Sequence, residues 1–281
     1  MRGIGPNSAP PSVVCALLAM GYATSALADN PGGNLLHDPF TVSLGTFLLQ
    51  SKTTFRLDGS AGTTGTDVDL KKDLGLRDSD RFRLDANWRF AERHRLRAMY
   101  FSTSQSRTKS LARDVTIGDT VYPVAAQLTT ENSWSIAELA YEYVFMRRDN
   151  YEIAGTFGVH ALRFKLAVSG IGSAGGQSAQ FERESATTQA PLPLFGLRGL
   201  WQFHPQWYLE GQAQYFALKI SNYDGHLSDV RVGVTRMFGS HIGVGAGWNE
   251  FITNVNIDRP LFNGSLNRNA AGAQVYLTAA F

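Results

Sequence analysis

The sequence predicts an all-β fold: an antiparallel transmembrane β-barrel of ten strands, with eight and twelve as the alternatives. Three observations predict it. In the last stretch, Ala271, Ala273, Val275, Leu277, Ala279 and Phe281 fall on one face, and Ala270, Gly272, Gln274, Tyr276 and Thr278 on the other. A period of two is that of a strand with one apolar side, and an aromatic last residue is unlike the frayed polar ends of soluble domains. In residues 81–90, Phe82, Leu84, Ala86, Trp88 and Phe90 alternate with Arg81, Arg83, Asp85, Asn87 and Arg89. A face this charged opposite one this aromatic suits lipid outside and a wet or salt-bridged lumen inside. Finally, the connections alternate between short and long, as they do in barrels of the bacterial outer membrane.

Each strand follows from the same alternation. The first, about 40–57, carries Val42, Leu44 and Thr46 on one face, then loses phase at Phe47, Leu48 and Leu49, which predicts a bulge. The second is 81–90. The third directs Leu96, Ala98 and Tyr100 outward. The fourth has Ala137, Leu139, Tyr141, Tyr143 and Phe145 outside, with Glu138 and Glu142 inside. The fifth sets Ile153, Phe157 and Val159 against Glu152 and His160. The sixth sets Phe195, Leu197, Gly199, Trp201 and Phe203 against Arg198 and Gln202. The seventh sets Trp207, Leu209, Ala213 and Tyr215 against Glu210, Gln212 and Gln214. Val230, Val232, Val234 and Phe238 mark the eighth, and Ile242, Val244, Ala246 and Trp248 the ninth; the final stretch closes the set.

Residues 91–94, 146–150, 204–206 and 239–241 are tight turns; 58–80, 107–131, 169–186, 221–225 and 254–268 read as longer loops. Short turns belong in the periplasm, so both termini are expected there. Trp88, Phe90, Tyr143, Phe145, Tyr151, Trp201, Phe203, Trp207, Phe238 and Phe281 all fall near a short turn or the carboxyl end, forming one interfacial girdle. Tyr100, Tyr215 and Trp248 suggest a thinner second one.

Residues 1–28 read as a cleaved secretory signal. Arg2 gives the positive end, 13–20 the apolar centre, and Ala26 and Ala28 a small-x-small site before Asp29. Cys15, the single cysteine, lies inside that segment, so residues 29–281 form one barrel domain without thiol chemistry. The formal net charge of +2 gives no basic face for nucleic acid.

The run 65–76 (GTDVDLKKDLGL), then Phe82 to Asp85, Trp88 to Phe90, Arg93 to Leu96 and 117–123 (IGDTVYP), resembles a family of uncharacterised bacterial outer-membrane β-barrel proteins. The likeness is close over the first half of the domain and architectural over the rest. It implies a surface barrel without an assigned activity. Lys71 and Lys72 depart from the acidic residues expected there, which weakens any cation-related role for that loop. By the same resemblance, Tyr276 and the terminal Phe281 are the tag read by barrel-insertion machinery. Outer-membrane lipid and lipopolysaccharide are the expected surroundings, with an extracellular ligand reached through the loops.

The candidate site is the lumen. Arg81, Arg83, Arg89, Arg95, Arg97, Arg198 and Arg231 face Asp85, Glu138, Glu142, Glu152, Glu210 and Asp229. Ten strands enclose little more than eight do, and open channels need about 16. Mixed charges so confined are expected to pair, because stranding one partner of a buried pair costs about 3–5 kcal/mol. A closed, salt-bridged plug is therefore preferred to a narrow solute or ion channel, whose selectivity would call for rings of one sign.

A hydrolase is the third reading. Omptin surface proteases share this architecture and pair an Asp-x-His with acids at the outer rim. Asp224 and His226 form such a triplet in the fourth loop, with Asp67, Asp69, Asp78 and Asp80 in the first. An Asp beside a His can orient it as a general base, yet Asp-Gly is also a common turn pair. His160 reads as a lumenal hydrogen-bonding residue, and His94, His204 and His241 as turn residues. No two His share ligand spacing, so neither metal nor cofactor is expected. The glycines of 172–176 lack the lysine and helix of a phosphate loop and read as a surface loop.

Overall fold

The computed structural model describes residues 34–59, 62–76, 81–174, 177–220, 223–259 and 262–281. The expected signal segment, with Ala26, Ala28 and Asp29, lies outside them, as do Asp78 and Asp80. Residues 33–281 form one compact unit.

Among the described residues, thirteen strands run in chain order: β1 (Phe40–Leu57), β2 (Val68–Asp69), β3 (Arg81–Ala91), β4 (His94–Ser110), β5 (Val115–Ile117), β6 (Thr120–Tyr122), β7 (Gln127–Arg147), β8 (Tyr151–Ala174), β9 (Gln177–His204), β10 (Trp207–Ile220), β11 (Tyr223–Phe238), β12 (Ile242–Arg259) and β13 (Phe262–Ala280). Among the described residues, ten of these build the wall, in the order β8-β7-β4-β3-β1-β13-β12-β11-β10-β9, and β9 pairs with β8 to close it. Every wall pairing is antiparallel. Closure leaves no sheet edge facing lipid.

The alternation sorts side chains by face. On β13, Val275 and Leu277 are exposed, as is Phe281 just after it, while Ala270, Gln274, Thr278 and Ala280 are buried. Trp88, Phe90, Tyr143, Phe145, Trp201, Phe203 and Phe238 are exposed around the short-turn end. His94 there contacts Phe90, Tyr141 and Tyr143, and its Nδ1 lies 2.6 Å from the Tyr141 hydroxyl. His241 stacks on Phe281 and reaches the Ala280 carbonyl at 2.9 Å. These two histidines, at or beside tight turns as expected, also tie girdle strands together.

Several readings of the loops change. The bulge expected at Phe47 is absent: β1 pairs with β13 in unbroken register from Thr41 to Leu57. Phe47 points into the lumen and Leu48 out, so the lost phase marks an apolar layer inside the barrel. Register shifts occur instead at the short-turn end of β3, β7 and β10 and between Phe164 and Leu166 of β8. The loops expected at 169–186, 221–225 and 254–268 are largely strand, because β8 pairs with β9 out to Ala174–Gln177, β10 with β11 to Ile220–Tyr223 and β12 with β13 to Arg259–Phe262. Residues 172–174 of the glycine-rich stretch belong to β8; 175 and 176 lie outside the described residues.

The first two long connections fold over the long-hairpin end. β5 and β6 form a small hairpin, β6 meets β8 at Val121–Ser173, and β2 pairs with β1. An isolated bridge joins Asp58 to Gly118. Leu70, Leu74 and Leu76 from the first connection and Leu111, Val115, Ile117 and Tyr122 from the second bury themselves with Phe55, Leu128, Leu166 and Val168 of the wall. Hydrophobic burial thus turns two loops into a cap.

Below the cap the lumen is layered, as chain order on each strand shows. On β4, Phe101 and Met99 precede, toward the short turns, Arg97 and Arg95; on β7, Trp134 and Ile136 lead to Glu138 and Glu142. The upper layer is apolar: Phe47, Met99, Phe101, Trp134, Ile136, Leu227, Phe251 and Ala270. The charged layer follows. At the short-turn end Leu36 is buried against Leu200, Tyr208, Met237 and Ala280, a second apolar stopper made by the segment preceding β1.

Candidate functional site in the lumen

The charged layer is assembled from seven wall strands. Glu152 on β8 sits between Arg89 at 3.1 Å, Arg95, and Arg198 at 3.7 Å. Arg198 on β9 also approaches Glu142 at 3.7 Å and Glu210 at 3.0 Å. Glu210 passes the chain to Arg231 at 2.7 Å, Arg231 to Asp85 at 3.1 Å, and Asp85 to Arg83 at 2.7 Å. In the wall order β3 and β11 are four strands apart through β1, β13 and β12, so the Arg231–Asp85 pair crosses the lumen. Arg97 on β4 crosses it too: it binds Gln212 on β10 as well as Glu138 at 2.5 Å and lies 3.6 Å from Glu142.

Satisfaction of Glu138 shows why this packing holds. The carboxylate is 4% exposed, a position where an unpaired charge is untenable. It accepts from Arg97, from Gln214 at 3.2 Å and meets His160 at 2.8 Å. His160 thus serves a carboxylate inside the network. Asp229, buried on β11, is held by Asn249, which also accepts from Arg83 at 3.3 Å. Asn249 and the Leu36 carbonyl, which accepts from Arg89, are partners that charge counting overlooks. Asn249 could have been found from its inward parity between Trp248 and Glu250. Arg81 lies on β3, and its side chain is outside the described residues.

Closing this layer needs close backbone approach. The Tyr276 ring lies over Gly245, where an added Cβ would sit 2.2 Å from ring carbons, and over Gly233, where a Cβ would sit 2.9 Å from the hydroxyl. Its hydroxyl is 2.9 Å from Thr235 Oγ1. Tyr276 therefore fills the lumen on the β11–β13 side, where glycines replace side chains.

Asp224 and His226 are not part of any such cluster. Both sit on β11, in the outward register of Val230 and Val232 and not in that of Leu227, Asp229 and Arg231. Asp224 pairs with Lys219 at 3.7 Å, and His226 meets Asn254 at 2.7 Å. Asp67 and Asp69 are in the cap, where the Asp67 carbonyl accepts from Arg113 and the Asp69 carboxylate from the Lys71 and Lys72 amides. Among the described residues, no group of three His, Cys, Asp or Glu is placed to hold a metal. Arg236, exposed near the short-turn end, lies over Trp207 and Phe238 at 5.4 and 4.8 Å.

Outer membrane protease OmpT from Escherichia coli superposes with a TM-score of 0.53 at 13% identity, over 86% of this chain and 96% of that one. The chain has the fold of an outer-membrane β-barrel. At that identity the likeness shows the fold and nothing finer. The translocator domain of the autotransporter NalP from Neisseria meningitidis gives 0.41 at 12% identity over 96% and 97% of the two chains. Ail, the attachment invasion locus protein of Yersinia pestis, gives 0.31 at 12% over 85% and 97%. No family model matches the sequence, and no curated protein matches it.

Proposed function

We propose that this chain is an integral outer-membrane protein with a blocked lumen, acting through the surface of its capped end rather than by conduction or catalysis. The observation that carries the reading is the Arg231–Asp85 ion pair across the lumen. It stands in a layer of opposite charges with apolar layers on both sides. Taking ions through would mean separating buried pairs, at about 3–5 kcal/mol for each partner left stranded.

In this reading the long hairpins and the cap face the environment, and the short turns and both termini face the periplasm. Residues 1–28 are removed by cleavage before Asp29, at the small-x-small site of Ala26 and Ala28. Tyr276 and Phe281 are recognised by the insertion machinery, and lipid with lipopolysaccharide surrounds the exposed band. The cap presents Val121 and Val124, both exposed, on a buried core. A packed surface with exposed apolar residues suits an extracellular partner. The outward direction of Asp224 and His226 supports a non-enzymatic role over a rim hydrolase.

Planar-bilayer recording on the purified barrel tests the blockage. Silence is expected; steady unitary currents would establish the narrow channel instead.

A further inference from the structure

The charged layer does not fill the lumen evenly. Its ionic side chains come from β3, β4 and β7 through β11, whereas the inward positions of β1, and those of β13 toward the short turns, carry Thr41, Ser43, Gly45, Gln274, Tyr276 and Thr278. A cavity of about 80 Å³ lies along this uncharged side, between the charged layer and the segment before β1. A buried polar site needs roughly 10–15 Å³ for one water, so this chamber takes several waters or one small ion.

Its lining is rich in arginine. Arg83, Arg95, Arg97, Arg198 and Arg231 line it with Asp85, Glu210 and Asp38, while Glu138, Glu142 and Glu152 pair with Arg95, Arg97 and Arg198 from outside the lining. Asp85 and Glu210 are each already held by two arginines. Asp38 lies before β1, where burial pushes its carboxyl up. Arg95 and Arg198 are buried, and the Nε–H of each makes no hydrogen bond to a described residue. A guanidinium offers five donors, and ion pairing at Nη leaves these two for another acceptor. Thr41, Ser43 and Thr278 line it too, the hydroxyls of Ser43 and Thr278 2.8 Å from each other.

We propose that this chamber binds a small tetrahedral oxyanion of the phosphate type, held by the arginines together with the β1 and β13 hydroxyls. Planar guanidinium forks match such oxygens, and a low-dielectric site strengthens the attraction. Binding here needs no flow past the upper apolar layer, but it does need the Leu36 stopper at the short-turn end to part and admit the anion.

The test is titration of the full-length mature barrel in detergent with inorganic phosphate, followed by calorimetry and by phosphorus NMR line width at constant ionic strength. Saturable binding that sulfate displaces and chloride does not is expected. Ser43→Leu and, separately, Thr41→Leu fill the chamber while keeping every charge, and each should weaken binding at least tenfold with heat-modifiable gel migration retained. Absence of saturable binding in the parent overturns the proposal. So does unchanged affinity in whichever filled variant keeps the folded migration, since the anion would then sit elsewhere.

Discussion

Arg231 on β11 and Asp85 on β3 meet at 3.1 Å across the barrel interior, and Asp85 is held at the same time by Arg83 at 2.7 Å. One carboxylate thus bridges a guanidinium of its own strand and one from across the lumen, the latter shared with Glu210. Asp85→Asn should leave both under-paired and lower stability by about 3–5 kcal/mol, the usual cost of breaking a buried pair. The double variant Asp85→Leu with Arg231→Met should recover part of that loss. Urea unfolding from lipid vesicles, arranged as a double-mutant cycle, checks both, and additive losses would contradict a direct pair.

Tyr276 and Gly245 make a second checkable pair. A Cβ on residue 245 would lie 2.2 Å from the ring, so Gly245→Ala should destabilise the barrel by about 1–3 kcal/mol through overpacking. Adding Tyr276→Ala should relieve the clash while leaving its own cavity cost. Rescue measured as a rise in the gel melting temperature over Gly245→Ala alone is the expected result.

The cap should come loose separately from the wall. Leu74 is 1% exposed in the apolar cluster beneath the two connections. Leu74→Ala should cost about 2–5 kcal/mol, spent on cap closure. Limited proteolysis is expected to cut the first or second connection faster, while the barrel keeps its heat-modifiable migration. Loss of barrel assembly would show that the cap is integral to folding.

Acid should loosen the same cap. Burial, the largest influence on Asp73, pushes its carboxyl up; the 2.9 Å bond from Arg113 and the backbone amide of Asp69 outweigh it, so the group sits below the ordinary carboxylate value. A depressed folded value stabilises above the unfolded pKa, about 3.9 for Asp, and that stabilisation is lost as pH falls through the folded value. Proteolytic protection of the cap should therefore be flat near neutrality and fall only in acid. Asp73→Asn should reduce protection already at neutral pH and flatten the acid response.

His226→Ala should leave the protein's behaviour toward peptides unchanged, since His226 points away from the lumen and meets Asn254. Peptide cleavage by the parent that this variant abolishes would restore the hydrolase reading.

What the sequence by itself determined is the face of each residue. A strand has a period of two, lipid demands apolar atoms on one side, and so Phe82, Trp88, Leu197 and Leu277 could be directed outward, and the antiparallel barrel with them. The same logic failed at Phe47, where inner and outer faces are both apolar and alternation vanishes, and in the outer connections. There turn-rich composition conceals strands stabilised by pairing with a neighbour, as at Tyr223 and Phe262.

Only the tertiary structure decided which inward groups meet. Asp85 is far from Arg231 in the chain, and nothing local to either brings them together; closure of the sheet fixes their distance. The cap likewise depends on Leu74 and Leu111, whose burial exists only once two separate connections fold onto one rim. Periodicity is a local property of the backbone and can be read from one strand, whereas pairing across a lumen depends on strand order, register and tilt, which the whole closed wall sets together.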